Sequence, residues 1–211
     1  MSLFITFEGG EGCGKSVQAR VLYRRLSELA IPVVLTHEPG GTSLGKKLAR
    51  WLKWAQDTGI SPLAELLLFN TCRTQLVDEV IRPNLEKGKV VISDRYADST
   101  TAYQSYGRGL ALEMVKAINN TATQGLKPDL TVLLDIPVEA GLARKTKGRP
   151  DRFEREDIAF HQRVREGYLK LATSDPERWL VIDATQSKTK IAKIIWQRVS
   201  QLLSQRGLKH E

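Results

Sequence analysis

The chain has 211 residues, 41% hydrophobic and 27% charged, a balance typical of a globular protein with one substantial core. No apolar run approaches the roughly 20 residues that span a bilayer, and the N-terminus has neither a basic leader nor a cleavage site, which argues against a membrane protein and against export. The net charge of +8 suggests an anionic partner or simply a solvated basic surface, and two cysteines, Cys13 and Cys72, form no disulfide framework and fit a reducing cytoplasm.

The first apolar run, "LFITFE" over 3–8, predicts a strand buried on both faces. The glycine-rich "GGEGCGKS" follows, then a helical pattern over 15–29. Further strands are predicted at 32–36, 89–94, 130–135 and 179–183. Helical patterns lie between them at 43–54, 62–86, 110–124, 138–145, 156–173 and 188–206. Gly88 ends the long helix, and Pro62 and Pro128 mark other boundaries. Strands alternating with helices imply an α/β fold, a doubly wound parallel sheet of five strands flanked by helices. No repeat or low-complexity linker breaks the chain, so one domain is expected over 1–211. Three strands end in aspartate, at Asp94, Asp135 and Asp183. Ligands bind beyond the carboxyl ends of such strands, although a strand-end aspartate also serves simply to cap the next helix.

Gly9-x-x-x-x-Gly14-Lys15-Ser16 matches the phosphate-binding P-loop, with a strand before it and a helix after it. Backbone N–H groups wrap phosphate oxygens there, and side chains would block the approach. The whole loop, Gly9, Gly10, Glu11, Gly12, Cys13, Gly14, Lys15 and Ser16, is therefore assigned to ATP. Lys15 reaches the β and γ phosphates, and the Ser16 hydroxyl ligates Mg²⁺. Cys13, beside Lys15 and near a helix N-terminus, is either a thiol more reactive than that of Cys72 or a small packed side chain. The NKxD string of GTPases is absent, and a motor ATPase needs more chain. A kinase of a small acceptor fits best, on a P-loop NTPase three-layer fold with a short lid.

Three further segments, "EPGGT" (38–42), "FNTCR" (69–73) and "DRYADSTTAYQ" (94–104), join the P-loop in a combination that closely resembles the thymidylate kinase family, bacterial type. The resemblance runs from about residue 3 to residue 185. It implies ATP and dTMP as substrates, Mg²⁺ as cofactor, a cytoplasmic homodimer, and no nucleic-acid or membrane partner. It also implies that Phe69 stacks on thymine and that Arg73 donates to its O4, which cytosine, carrying a donor at that position, would leave unpaired. Arg95 would bind the acceptor phosphate with its planar fork, and Asp94 would lie near the transferring group. Thr100 and Gln104 match positions at the base edge. Tyr103 matches the residue that fills the space of a ribose 2′-hydroxyl, and Glu11 an acid near the 3′-hydroxyl.

The basic segment 144–157 occupies the place of the family's lid, where Lys147 and Arg149 both approximate its catalytic arginine. In the helix after "EPGGT" the family's arginine usually comes directly after a leucine; here it stands one residue late, in Leu48-Ala49-Arg50, about 100° around the helix. No histidine constellation is evident among His37, His161 and His210. The phosphate is already anionic at neutral pH, so phosphoryl transfer asks for positioning and charge neutralisation rather than a strong base. The alternatives are a P-loop kinase of another nucleotide or deoxynucleoside and, more distantly, a nucleic-acid-binding ATPase.

Overall fold

A computed structural model describes residues 2–54, 59–145 and 150–207. Five strands form one parallel sheet: β1 (Leu3–Glu8), β2 (Val33–His37), β3 (Val90–Asp94), β4 (Leu130–Asp135) and β5 (Trp179–Asp183). Their order is β2-β3-β1-β4-β5, so β1 is central. It pairs with β3 from Leu3–Val90 to Phe7–Asp94 and with β4 from Ile5–Leu130 to Glu8–Leu133. Every residue of β1 is buried, which is why it reads as a continuous run and not as an alternation.

The helices among the described residues are α1 (Lys15–Glu28), α2 (Ser43–Trp54), α3 (Pro62–Leu76), α4 (Arg82–Glu86) and α5 (Ala97–Thr100), then α6 (Leu112–Thr123), α7 (Val138–Ala143), α8 (Ile158–Ser174) and α9 (Lys188–Gln205). They make two layers around the sheet. Leu3, Ile5 and Phe7 of β1 pack with Leu22 and Leu26 of α1 and Ile195 and Val199 of α9. On the opposite face, Phe4 meets Leu76 and Val77, and Leu133 of β4 meets Phe160 and Val164 of α8.

Two helical segments differ from expectation. The pattern over 62–86 holds α3 and α4 joined by a wider turn at Val77–Ile81, in which the Arg82 N–H reaches the Val77 carbonyl five residues back. Pro83 has no N–H to offer the preceding turn, and the widening absorbs that loss. Residues 97–107 had no predicted helix, yet α5 continues into a wide helical turn over Thr101–Gly107. Serine, threonine, tyrosine and glycine are weak helix formers, and here burial against α8 overrides propensity. At Gly107 a Cβ would lie 2.7 Å from the Phe160 ring, so this glycine permits the close approach.

The expected helix over 138–145 ends at Ala143, and α8 begins at Ile158 behind the Asp157 cap, whose carboxylate accepts from Phe160 N at 2.6 Å. Of the expected lid, Lys147 and Arg149 lie outside the described residues. Beyond them the chain turns at Asp151, whose Oδ1 accepts from the backbones of Phe153 and Glu154.

Candidate active site

Beyond the carboxyl ends of β1, β2 and β3 lies a cavity of about 720 Å³. The glycine-rich loop forms one wall. Gly12 has φ +67°, and a Cβ there would sit 1.9 Å from the Gly141 carbonyl of α7, so no other residue fits. Lys15 is nearly buried and folds back on its own loop. Its Nζ donates to Gly9 O at 2.9 Å and Gly10 O at 2.7 Å, and lies 3.4 Å from Cys13 Sγ. The Cys13 side chain is buried in the core under the loop, to the same extent as Cys72. Ser16, on the first turn of α1, donates to Asp94 Oδ2 at the end of β3.

Arg95 follows Asp94 with φ +73°, a left-handed backbone unusual for a side chain of this size. The turn swings its guanidinium under the loop. Nη1 donates to Gly9 O, Ser99 Oγ and Tyr168 OH, while Nη2 donates to Glu11 Oε1 at 2.9 Å and Tyr103 OH at 3.2 Å. The other Glu11 oxygen pairs with Lys145 at 2.8 Å. Burial alone would raise the Glu11 carboxyl, but Arg95, Lys15 and Lys145 outweigh it and hold it well below the usual carboxylate range. Beneath Arg95, Glu8 is fully buried and accepts from Tyr96 N, Ser99 Oγ and Tyr168 OH. Burial, and then the charge of Asp98, push its carboxyl up to about 7.

Phe69, Arg73, Thr100, Tyr103 and Gln104 line the cavity as well. The structure thus brings to one cavity the sequence-predicted residues Glu11, Gly12, Gly14, Lys15, Ser16, Asp94 and Arg95 together with these five, while Gly9 and Gly10 stay behind Lys15 as carbonyl acceptors. Arg73 is 1% exposed and already engaged: Nε and Nη2 meet Glu38, and Nη1 is shared among Asn70, Thr100 and Asn119. Phe69 is half-buried, its ring 5.7 Å from that of Phe153. Tyr103 OH donates to Glu11 Oε1 at 3.0 Å.

Arg50 is exposed and outside the cavity, whereas Lys53, three residues on, lines it. Sequence reading missed Lys53, Phe153, Lys145 and the buried carboxylates Glu8 and Glu38. Phe153 is the one aromatic in the basic segment, a usable signal. Glu38 opens the "EPGGT" motif, a signal that went unread, whereas Glu8 gave none, because its partners lie far off in sequence.

A parallel sheet with a glycine-rich phosphate loop at the head of α1, opening on a cavity lined also by Arg73 and Arg95, defines a P-loop nucleotide kinase. The family model described as thymidylate kinase matches residues 7–195. A thymidylate kinase of Dehalococcoides mccartyi is 58% identical over 96% of this chain and 98% of its own length. One of Roseiflexus castenholzii is 48% identical over 92% of this chain and 91% of its own. The crystal structure of thymidylate kinase from Ehrlichia chaffeensis is 34% identical and aligns with a TM-score of 0.77, covering 94% of this chain and 98% of that one. The chain belongs to the thymidylate kinase family.

Proposed function

We propose that this protein transfers the γ-phosphoryl group of ATP to dTMP, giving ADP and dTDP, within one domain. The observation that carries the reading is the single cavity shared by the P-loop lysine, the Arg95 fork and the Phe69–Arg73 face of α3. Donor phosphate, acceptor phosphate and base each find a suitable wall there. On this reading the loop N–H groups and Lys15 hold the ATP phosphates, and Arg95 presents the acceptor phosphate in line. Phe69 stacks on the base, and Arg73 turns one shared Nη1 hydrogen to O4. Thr100 and Gln104 meet the base edge, Tyr103 fills the 2′ position, and Glu11 meets the 3′-hydroxyl. Lys53 adds positive charge where Arg50 does not reach.

Ser16 and Asp94 present adjacent hard oxygens, a donor set that fits Mg²⁺. Bound there with the ATP phosphates, the ion would neutralise charge on the transferring group. Lys147 and Arg149 are assigned to the lid's charge stabilisation. A homodimer is proposed through the outer face of α3, where Leu63 and Leu67 are exposed. The setting is the cytoplasm, in keeping with two free cysteines; among the described residues no helix is long and apolar enough to cross a membrane. A coupled ADP-release assay against a panel of nucleoside monophosphates tests the assignment. The expected result is the highest kcat/KM for dTMP, and a higher value for any ribonucleotide or for dCMP rejects it.

A further inference from the structure

Glu65 of α3 has no exposed surface and no part in the roles above. Its carboxylate gathers side chains from two distant parts of the chain. Gln104 Nε2 donates to Oε1 at 2.8 Å, Arg108 Nε to the same oxygen at 3.2 Å and Nη2 to Oε2 at 3.3 Å, and Arg152 Nη2 donates to Oε2. Gln104 lines the cavity and is 1% exposed. Its Oε1 is, among the described residues lining that cavity, the one buried side-chain polar atom without a hydrogen-bond partner.

A glutamine amide offers a donor at one end and an acceptor at the other, and free to flip it reads either kind of partner. A carboxylate held between two guanidinium groups only accepts. The Gln104 amide must therefore turn its NH₂ to Glu65, which leaves the carbonyl oxygen for a ligand.

We propose that Glu65 is a positioning residue that fixes Gln104 as a hydrogen-bond acceptor, so that the site takes a pyrimidine with a hydrogen on N3 and refuses one without. The inference rests on the dTMP reading above. Thymine N3–H can donate to Oε1. Cytosine N3 carries a lone pair, and two acceptors facing each other in a dry site leave both unpaired. N3 adjoins the O4 assigned to Arg73, so the two readers would cover neighbouring atoms of one edge. Discrimination by Gln104 would then depend on a side chain that never touches the substrate.

The test is Glu65→Gln, which replaces the acceptor-only group with an amide that can face Gln104 either way round. The ratio of kcat/KM for dTMP to that for dCMP should fall roughly tenfold. Gln104→Ala should lower the ratio by a similar factor, and the double variant should lose no more than Gln104→Ala alone. A merely structural Glu65 would reduce both substrates in proportion, and an unchanged ratio overturns the inference. Should Glu65→Gln fail to fold, exchange of the Gln104 side-chain amide protons in the wild-type protein decides the matter. They should remain slow with and without dTMP, whereas a bond to Glu65 that breaks when dTMP binds overturns the inference. A wild-type protein indifferent between the two nucleotides rejects the substrate reading itself and the inference with it. A wild-type preference that survives Glu65→Gln rejects the inference alone.

Discussion

At Lys15 the ammonium group donates to two carbonyls of its own loop, which tie the lysine to the loop backbone. Lys15→Ala should lower kcat by at least about a hundredfold, the scale of removing one preorganised charge from a transferring group. Calorimetry should find dTMP affinity within about twofold of wild type, because the role assigned to Lys15 concerns donor phosphates only. A parallel loss of dTMP binding would place Lys15 on the acceptor side instead. Arg95 allows a cleaner dissection, since its side chain and its left-handed backbone have separate effects. Arg95→Ala and Arg95→Gly both remove the guanidinium and should be equally inactive. They differ in strain, so the glycine variant should be the more stable by about 1 kcal/mol in urea unfolding. Equal stability of the two would show that the turn relaxes once the side chain is gone.

Among the elements, α3 serves two surfaces at once. Glu65, Phe69 and Arg73 recur at a spacing of four and turn inward, while Leu63 and Leu67, also four apart, face outward. Leu67→Glu should convert the proposed dimer to a monomer in sedimentation equilibrium with little loss of fold, because the residue is 48% exposed in the single chain. A variant that sediments like wild type would move the interface elsewhere. The inward face was legible from the spacing of Phe69 and Arg73. The strands were legible for another reason: burial on both faces writes an unbroken apolar run. The helix through 97–107 was hidden, because Ser99, Thr100, Thr101 and Gln104 are buried polar groups whose partners, Glu8, Asn119, Arg73 and Glu65, come from other elements. Such pairings leave no trace in local composition. The cavity-lining residues inside that segment were singled out by motif alone, whereas the groups that orient them were not singled out at all.

For the molecule as a whole, two buried carboxylates near the cavity pull stability in opposite directions with pH. Folded Glu8 keeps its proton up to about pH 7, whereas the unfolded chain releases it near 4.5. Its contribution to stability is complete below about pH 4.5 and disappears as the pH rises toward 7. Glu11 is held low, so its contribution is complete above the ordinary carboxylate range and disappears as acid protonates it. Glu8→Gln removes the first titration. Urea unfolding at pH 5 and pH 7.5 should therefore show the variant gaining on wild type at the higher pH, by an amount on the order of 2 kcal/mol. An unchanged difference between the two pH values would mean that Glu8 is ionised throughout.

Arg73 pairs with Glu38 and Arg95 with Glu11, so each arginine assigned to the acceptor has its own counter-charge beside it. Water competes with every phosphoryl acceptor and is always present. A resting enzyme whose charges stood uncompensated around ATP would leak, hydrolysing its donor with nothing to phosphorylate. On the proposed assignment an acceptor phosphate would compete with Glu11 for the Arg95 guanidinium, so the acceptor itself would switch on the charge that transfer requires. Glu11→Gln, which weakens that restraint, should raise the rate of ATP hydrolysis in the absence of acceptor, and a rate no higher than wild type would show that the idle enzyme is kept quiet by other means.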